Sequence, residues 1–148
     1  MIAALAVFAM LAGSAIESSA RISLSAPARL PFVEIENPSQ FLKNLEKAEG
    51  RPLMVYFSAD WCATCSRIER RVFPDPRVVE ALAGWRLVKI DVTRLDAGRE
   101  ALMKELRVAG PPTMMFFHGG KQEADGTRLV GSIDARALVA SALRAGAG

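Results

Sequence analysis

From residue 32 onward the chain alternates short, uniformly apolar runs with longer segments in which apolar side chains return every three or four positions. That is the pattern of strands interleaved with helices. Phe32-Val33-Glu34-Ile35 predicts a short strand, and Asn37-Pro38-Ser39 predicts the start of a helix whose Phe41, Leu42 and Leu45 share a face and which stops near Gly50. Leu53 to Phe57 is apolar throughout, so this strand is expected at the centre of a sheet, covered on both faces. A helix opened at Cys62 runs towards Val72-Phe73 until Pro74-Asp75-Pro76 breaks it, and Val78 to Leu82 forms a further short helix ending at Gly84. Arg86 to Val92 returns as a strand. Ala97 to Leu106 is a helix with Ala101, Leu102 and Leu106 on one side, and Thr113 to Phe117 is the next strand. Gly119-Gly120 opens a turn, Arg128 to Ile133 is a last strand, and Asp134 caps a terminal helix through Leu143. The order predicts an α/β domain with a central mixed sheet flanked by helices, its last two strands close enough for an antiparallel hairpin.

The amino-terminal pattern differs. Met1 to Ile16 carries no charge, and Glu17 is the only ionisable side chain before Arg21. Residues 1–20 are membrane-facing material, short for a full span and without the basic start of a standard signal peptide, although Ser18-Ser19-Ala20 would serve as a cleavage site. Signal peptide, signal anchor, the end of a membrane helix and a buried core helix all remain open readings. The membrane readings place the domain in an extracytoplasmic compartment, where oxidised dithiols persist. Residues 21–31, with Ser23, Ser25, Pro27 and Pro31, read as an exposed linker to a domain spanning residues 32–148.

Composition narrows the function. A chain of 148 residues can bury a core without a stabilising disulfide. The net charge of +3 is spread among acidic residues with no aromatic-basic patch, which argues against nucleic acid as a partner. The only two cysteines, Cys62 and Cys65, stand together where the central strand hands over to a helix. Their loop is too small to remove much entropy from the unfolded chain, so a working bond is the better reading than a staple. Two residues between cysteines on a first helical turn let the sulfurs meet, while the helix-end amides and dipole favour a thiolate. The chemistry this suggests is thiol–disulfide exchange. Zinc needs about four ligands and His118 is the only histidine, while a c-type haem would need histidine where Ser66 stands. Met114 and Met115 read as core filling and His118 as a loop residue. No metal, flavin or nicotinamide site is visible.

The run Trp61-Cys62-Ala63-Thr64-Cys65 after a central strand, with Gly110-Pro111-Pro112-Thr113 before a later one, resembles the thioredoxin fold with its dithiol and cis-proline loop. Ala59-Asp60-Trp61-Cys62, the Phe73-Pro74-Asp75-Pro76-Arg77-Val78 insert and Asp91-Val92-Thr93 are more narrowly similar to the C-terminal periplasmic domain of the DsbD thiol:disulfide interchange family. The resemblance covers Phe32 to the C-terminus. It implies that Cys62, at the exposed edge of the helix, attacks; that Cys65 resolves the mixed disulfide; and that Pro112 is the cis-proline packed against the pair. The alternative for Pro112 is an ordinary trans proline. Trp61 would shield the dithiol or merely pack, and Asp60 would cap the helix or tune Cys62.

Two positions depart from the family. The residue before its cis-proline offers backbone N–H and C=O to an extended substrate, and here that residue is Pro111, which has no N–H. Many thioredoxins carry a buried aspartate six residues before the first cysteine as proton acceptor for the resolving thiol, where this chain has Tyr56. Tyr56 is expected to be a core residue. Glu69, one turn after Cys65, matches an acidic position of the DsbD-like domain and is the candidate proton acceptor, the alternative being a solvated ion-pair partner of Arg67, Arg70 or Arg71.

The resemblance therefore implies an extracytoplasmic thiol:disulfide oxidoreductase, periplasmic or facing the periplasm, anchored or exported, which takes electrons from a transmembrane donor and passes them to disulfide-containing proteins. Its rivals are a general disulfide reductase or oxidase of this fold and a non-catalytic binding module.

Overall fold

The computed structural model describes residues 29–35, 37–48, 50–119 and 122–147. The apolar segment and most of the linker lie outside these, as does Gly120 of the expected turn. The elements in chain order are β1 (Phe32–Ile35), α1 (Pro38–Glu46), β2 (Leu53–Ser58), α2 (Ala63–Arg71), α3 (Pro76–Ala81), β3 (Arg86–Asp91), α4 (Ala97–Glu105), β4 (Thr113–His118), β5 (Gln122–Glu123), β6 (Leu129–Val130) and α5 (Ala135–Gly146). The sheet runs β1-β3-β2-β4-β5, with β6 also on β4. The β1–β3 and β2–β3 pairs are parallel and all pairs with β4 are antiparallel, so the sheet is mixed, as expected.

β2 is central, and each of its six residues is buried. Covering a Leu, Val or Phe side chain on both faces contributes about 1.5–3 kcal/mol each, which makes this strand the main anchor of the site that follows it. Aromatic contacts knit its lower face to the flanking segments: the Tyr56 and Phe73 rings meet edge-on at 5.2 Å, and Phe32 lies 5.0 Å from Phe73. Helix starts follow their sequence signals, with the side chains of Asn37, Asp75, Asp96 and Asp134 each accepting a backbone N–H of the first turn.

Several expectations are corrected. Leu42 is exposed, and the buried face of α1 is Phe41 with Asn44. Asn44 tolerates burial because its side-chain oxygen accepts from the Arg86 guanidinium and its amide donates to the Gln40 carbonyl. Ala101 is likewise exposed, and Leu102 makes the buried contact of α4, flanked by half-buried Met103 and Leu106. The strand expected from Arg128 to Ile133 is only Leu129–Val130: the Gly131 N–H still donates to the Pro112 carbonyl opposite it, but Pro112 has no N–H to return the bond, and Gly131 turns away at φ +77°. β5 went unforeseen; with β6 it lies along the two ends of β4 as one interrupted edge. Leu30, read as linker, is half-buried and packs on the core.

Register brings the chemistry to one end of the sheet. Ser58 at the end of β2 pairs with Asp91 at the end of parallel β3, and Phe57 pairs with Thr113 at the start of antiparallel β4. The dithiol after β2, Thr93 after β3 and Pro112 before β4 therefore emerge at the same edge.

Candidate active site

Cys62 and Cys65 are joined as a disulfide, with an S–S distance of 2.05 Å and Cα atoms 5.2 Å apart. Cys62 is the N-cap of α2, with extended backbone, and its sulfur accepts the Cys65 backbone N–H at 3.1 Å. The sulfur thus takes the place of the usual capping oxygen and meets the positive end of the helix directly, the arrangement that stabilises a thiolate once the bond is reduced. This corrects the reading of Asp60 as a cap. Its backbone N–H instead donates to the Thr93 hydroxyl at 2.8 Å, and its carboxylate side is exposed. Cys62 is also less open than expected, at 7% exposure against 1% for Cys65, although the order is the one exchange requires.

Trp61 is 63% exposed, with its indole N–H reaching the Thr93 carbonyl at 3.3 Å. Thr93 therefore holds the turn before the dithiol through two bonds, and its own N–H donates to an Asp91 carboxylate oxygen at 2.6 Å. Burial pushes the Asp91 carboxyl up, but the Thr93 bonds, with Lys89 and Arg99 nearby, outweigh it and hold the group below the usual carboxylate range. In the sequence Thr93 stands out only as part of Asp91-Val92-Thr93. Its bonds join positions 33 and 32 residues apart, which no local pattern reveals.

Across the sheet edge, the peptide bond between Pro111 and Pro112 is cis. Pro112 is buried and Pro111 half-buried. The Pro112 carbonyl accepts from Gly131, and the Thr113 hydroxyl closes back onto the Gly110 carbonyl at 2.6 Å.

Behind the dithiol, Glu69 takes neither of its expected settings cleanly. Its partners are not the neighbouring arginines. The Ser58 hydroxyl donates to Glu69 Oε1 at 2.9 Å, and Lys89 Nζ lies 3.2 Å from the same oxygen and 3.9 Å from Glu34. A groove of about 650 Å³, walled by Phe32, Phe73, Glu34, Glu69, Arg70 and Lys89 among others, opens this cluster to solvent. Tyr56 is fully buried beside it, and its hydroxyl has no hydrogen-bond partner among the described residues. Burial pushes the phenol far above its ordinary value; Ser58 offsets part of that and Glu69 adds to it. The group stays neutral at any physiological pH and cannot accept a proton, so Tyr56 is a core residue. His118 is exposed at the end of β4, and Met114 and Met115 are buried in the core. Among the described residues no group of three or more histidine, cysteine, aspartate and glutamate side chains could hold a metal ion.

A thioredoxin-like family model matches residues 43–119, a span holding the dithiol, the cis-proline and the three central strands. This chain belongs to the thioredoxin-like family. Within it, the thiol:disulfide interchange protein DsbD of Salmonella typhimurium is 41% identical over 113 residues, 76% of this chain, and that of Escherichia coli is 40% identical over 111 residues. The chain spans only 20% of the length of those relatives. The C-terminal domain of Neisseria meningitidis DsbD superimposes with a TM-score of 0.61 in its reduced form, at 24% identity, covering 72% of this chain and 90% of that domain. The oxidised form gives 0.58 at 25% identity, covering 69% and 86%. The expected fold and the DsbD resemblance both stand. Among the described residues no helix is long and apolar enough to cross a membrane.

Proposed function

We propose that this domain is an extracytoplasmic thiol:disulfide oxidoreductase of the DsbD kind, working as a protein-disulfide reductase through Cys62 and Cys65. The observation that carries the reading is the Cys62 sulfur in the N-cap position of α2, bonded to the Cys65 amide, on the less buried of the two cysteines. In the reduced protein the Cys62 thiolate attacks one sulfur of a partner disulfide, forming a Cys62–partner bond while the partner's other sulfur leaves as a thiolate. Cys65 then gives up its proton, attacks Cys62 and closes the Cys62–Cys65 disulfide, releasing the second partner sulfur. One electron pair has moved to the partner.

Glu69 is the group that takes the Cys65 proton. It lies one turn along α2, is oriented by Ser58 and Lys89, and faces a solvent-filled groove through which the proton leaves. Trp61 and the Pro111–Pro112 loop flank the sulfurs as contact surface for an extended substrate. Asp60 serves through its backbone, which seats the turn on Thr93. The electron source is a dithiol of a transmembrane donor domain, the acceptors are disulfide-containing proteins outside the cytoplasm, and residues 1–20 anchor or export the chain. No cofactor is required, since both half-reactions are exchanges between sulfurs.

Cys65→Ser tests the reading. The reduced variant, mixed with a reducible protein, should accumulate a covalent complex through Cys62, because the resolving thiol is gone. Limiting alkylation of the reduced wild type at neutral pH should label Cys62 first. If no complex forms with any reducible partner, or Cys65 is labelled first, the assignment fails and a non-catalytic module is the better account.

A further inference from the structure

α4 ends in a turn that most chains build with glycine. The Val108 N–H donates to the Met103 carbonyl at 2.8 Å and the Arg107 N–H to the Lys104 carbonyl at 3.2 Å, the paired bonds of a left-handed helix stop. Arg107 occupies the left-handed position with φ +53°, and it is the one non-glycine residue with positive φ among the described residues. A side chain there crowds the backbone, so the conformation needs support from elsewhere.

Arg128 supplies it. Its guanidinium donates to the Leu106 carbonyl at 3.0 Å, a helix-end acceptor left without an internal partner, and to the carbonyl of the left-handed Arg107 itself at 2.9 Å. The same fork is held from its other side by both carboxylate oxygens of Glu123 on β5, at 2.7 and 2.6 Å. The chain from Arg107 reaches Pro112 in five residues. Arg128 itself leads into β6, where Val130 pairs with Thr113 and Gly131 donates to the Pro112 carbonyl. One side chain therefore ties together the two ends of the Pro111–Pro112 loop: the stop of α4 before it and the strand that braces it after.

We propose that Arg128 is a positioning residue for disulfide exchange, setting the Pro111–Pro112 loop against Cys62–Cys65 so that an extended substrate segment can lie beside the sulfurs. The inference rests on the oxidoreductase reading above. Arg128 touches neither sulfur, so its loss should act on substrates that use the loop and spare those that need only the thiolate.

The test compares Arg128→Gln and Arg128→Lys with wild type, reduced by dithiothreitol and well below the melting temperature of each, in insulin reduction and in reaction with 5,5′-dithiobis(2-nitrobenzoate). For Arg128→Gln the KM for insulin should rise about ten-fold, while kcat and the rate with the small disulfide stay within about two-fold. Arg128→Lys, which keeps the cation but not the fork, should fall between. An unchanged KM for insulin, or equal losses on both substrates, would overturn the proposal. If Arg128→Gln does not fold, the lysine variant decides by the same split. Wild-type protein inert towards both disulfides would overturn the oxidoreductase reading itself, a separate result.

Discussion

The Tyr56 hydroxyl is the least comfortable polar atom in the core, and removing it should stabilise the protein. The residue is fully buried on the central strand, and its hydroxyl makes no hydrogen bond of normal geometry among the described residues: Ser58 and Glu69 lie near enough to act on it, but they are bonded to each other. Leaving a hydroxyl unpaired in the interior costs about 1–3 kcal/mol. Tyr56→Phe removes that cost and keeps the ring, so the contacts with Phe32 and Phe73 survive. The oxygen also leaves a small void, whose lost dispersion contacts offset part of the gain, and a net stabilisation of about 1 kcal/mol is expected. For a domain of this size that corresponds to a rise in Tm of about 4 °C. Chemical denaturation of the oxidised protein, followed by the fluorescence of Trp61 and Trp85, measures the first number, and calorimetry the second. Exchange rates should not change, because a neutral buried phenol cannot serve as a proton acceptor. A variant less stable than wild type by about 1 kcal/mol would show that the hydroxyl is in fact satisfied, as by a buried water, and the reasoning would fail.

Glu69→Gln should slow resolution of the mixed disulfide near neutral pH by roughly ten- to a hundred-fold and alter the pH–rate profile while α2 survives; an unchanged profile would return Glu69 to a structural ion pair with Lys89. Pro111→Val restores an N–H beside the dithiol and should tighten binding of peptide disulfides by about 0.5–1.5 kcal/mol, a few-fold, with small disulfides unaffected. Equal effects on both classes would implicate loop geometry instead. Asp91 titrates below its unfolded value, so its carboxylate stabilises the fold above about pH 4, and that contribution drains away as pH falls through the lower folded value. Asp91→Asn should therefore melt lower than wild type at pH 7, with a gap that narrows as pH falls below about 4 through the lowered folded value; a gap independent of pH would mean that charge plays no part.

Much of the site was legible in the chain because its signals are local. A five-residue apolar run bounded by polar and turn residues reads as an inner strand, a CxxC after it falls on a first helical turn, and Asn37 and Asp134 announce helix starts through bonds that reach three residues. Where two readings of a local pattern compete, distant partners decide. Leu42 and Asn44 could each have faced inward, and Arg86, 42 residues along, made the polar one the buried one. Asp60 looked like a cap, but the sulfur two residues later reached the helix amides first and left the Asp60 backbone to Thr93. The environment of Glu69 depended on Ser58 and Lys89, which the 3.6-residue period of α2 cannot bring into view, since they belong to strands whose register is set by burial across the whole sheet. Arg128 lies 21 residues from the Arg107 carbonyl it holds, and nothing near either position marks the pair. Periodicity and caps thus specified the elements and the dithiol, while the partners of each charged side chain were decided by the tertiary structure, because hydrogen bonds and ion pairs act over a few ångströms of space whatever the distance along the chain.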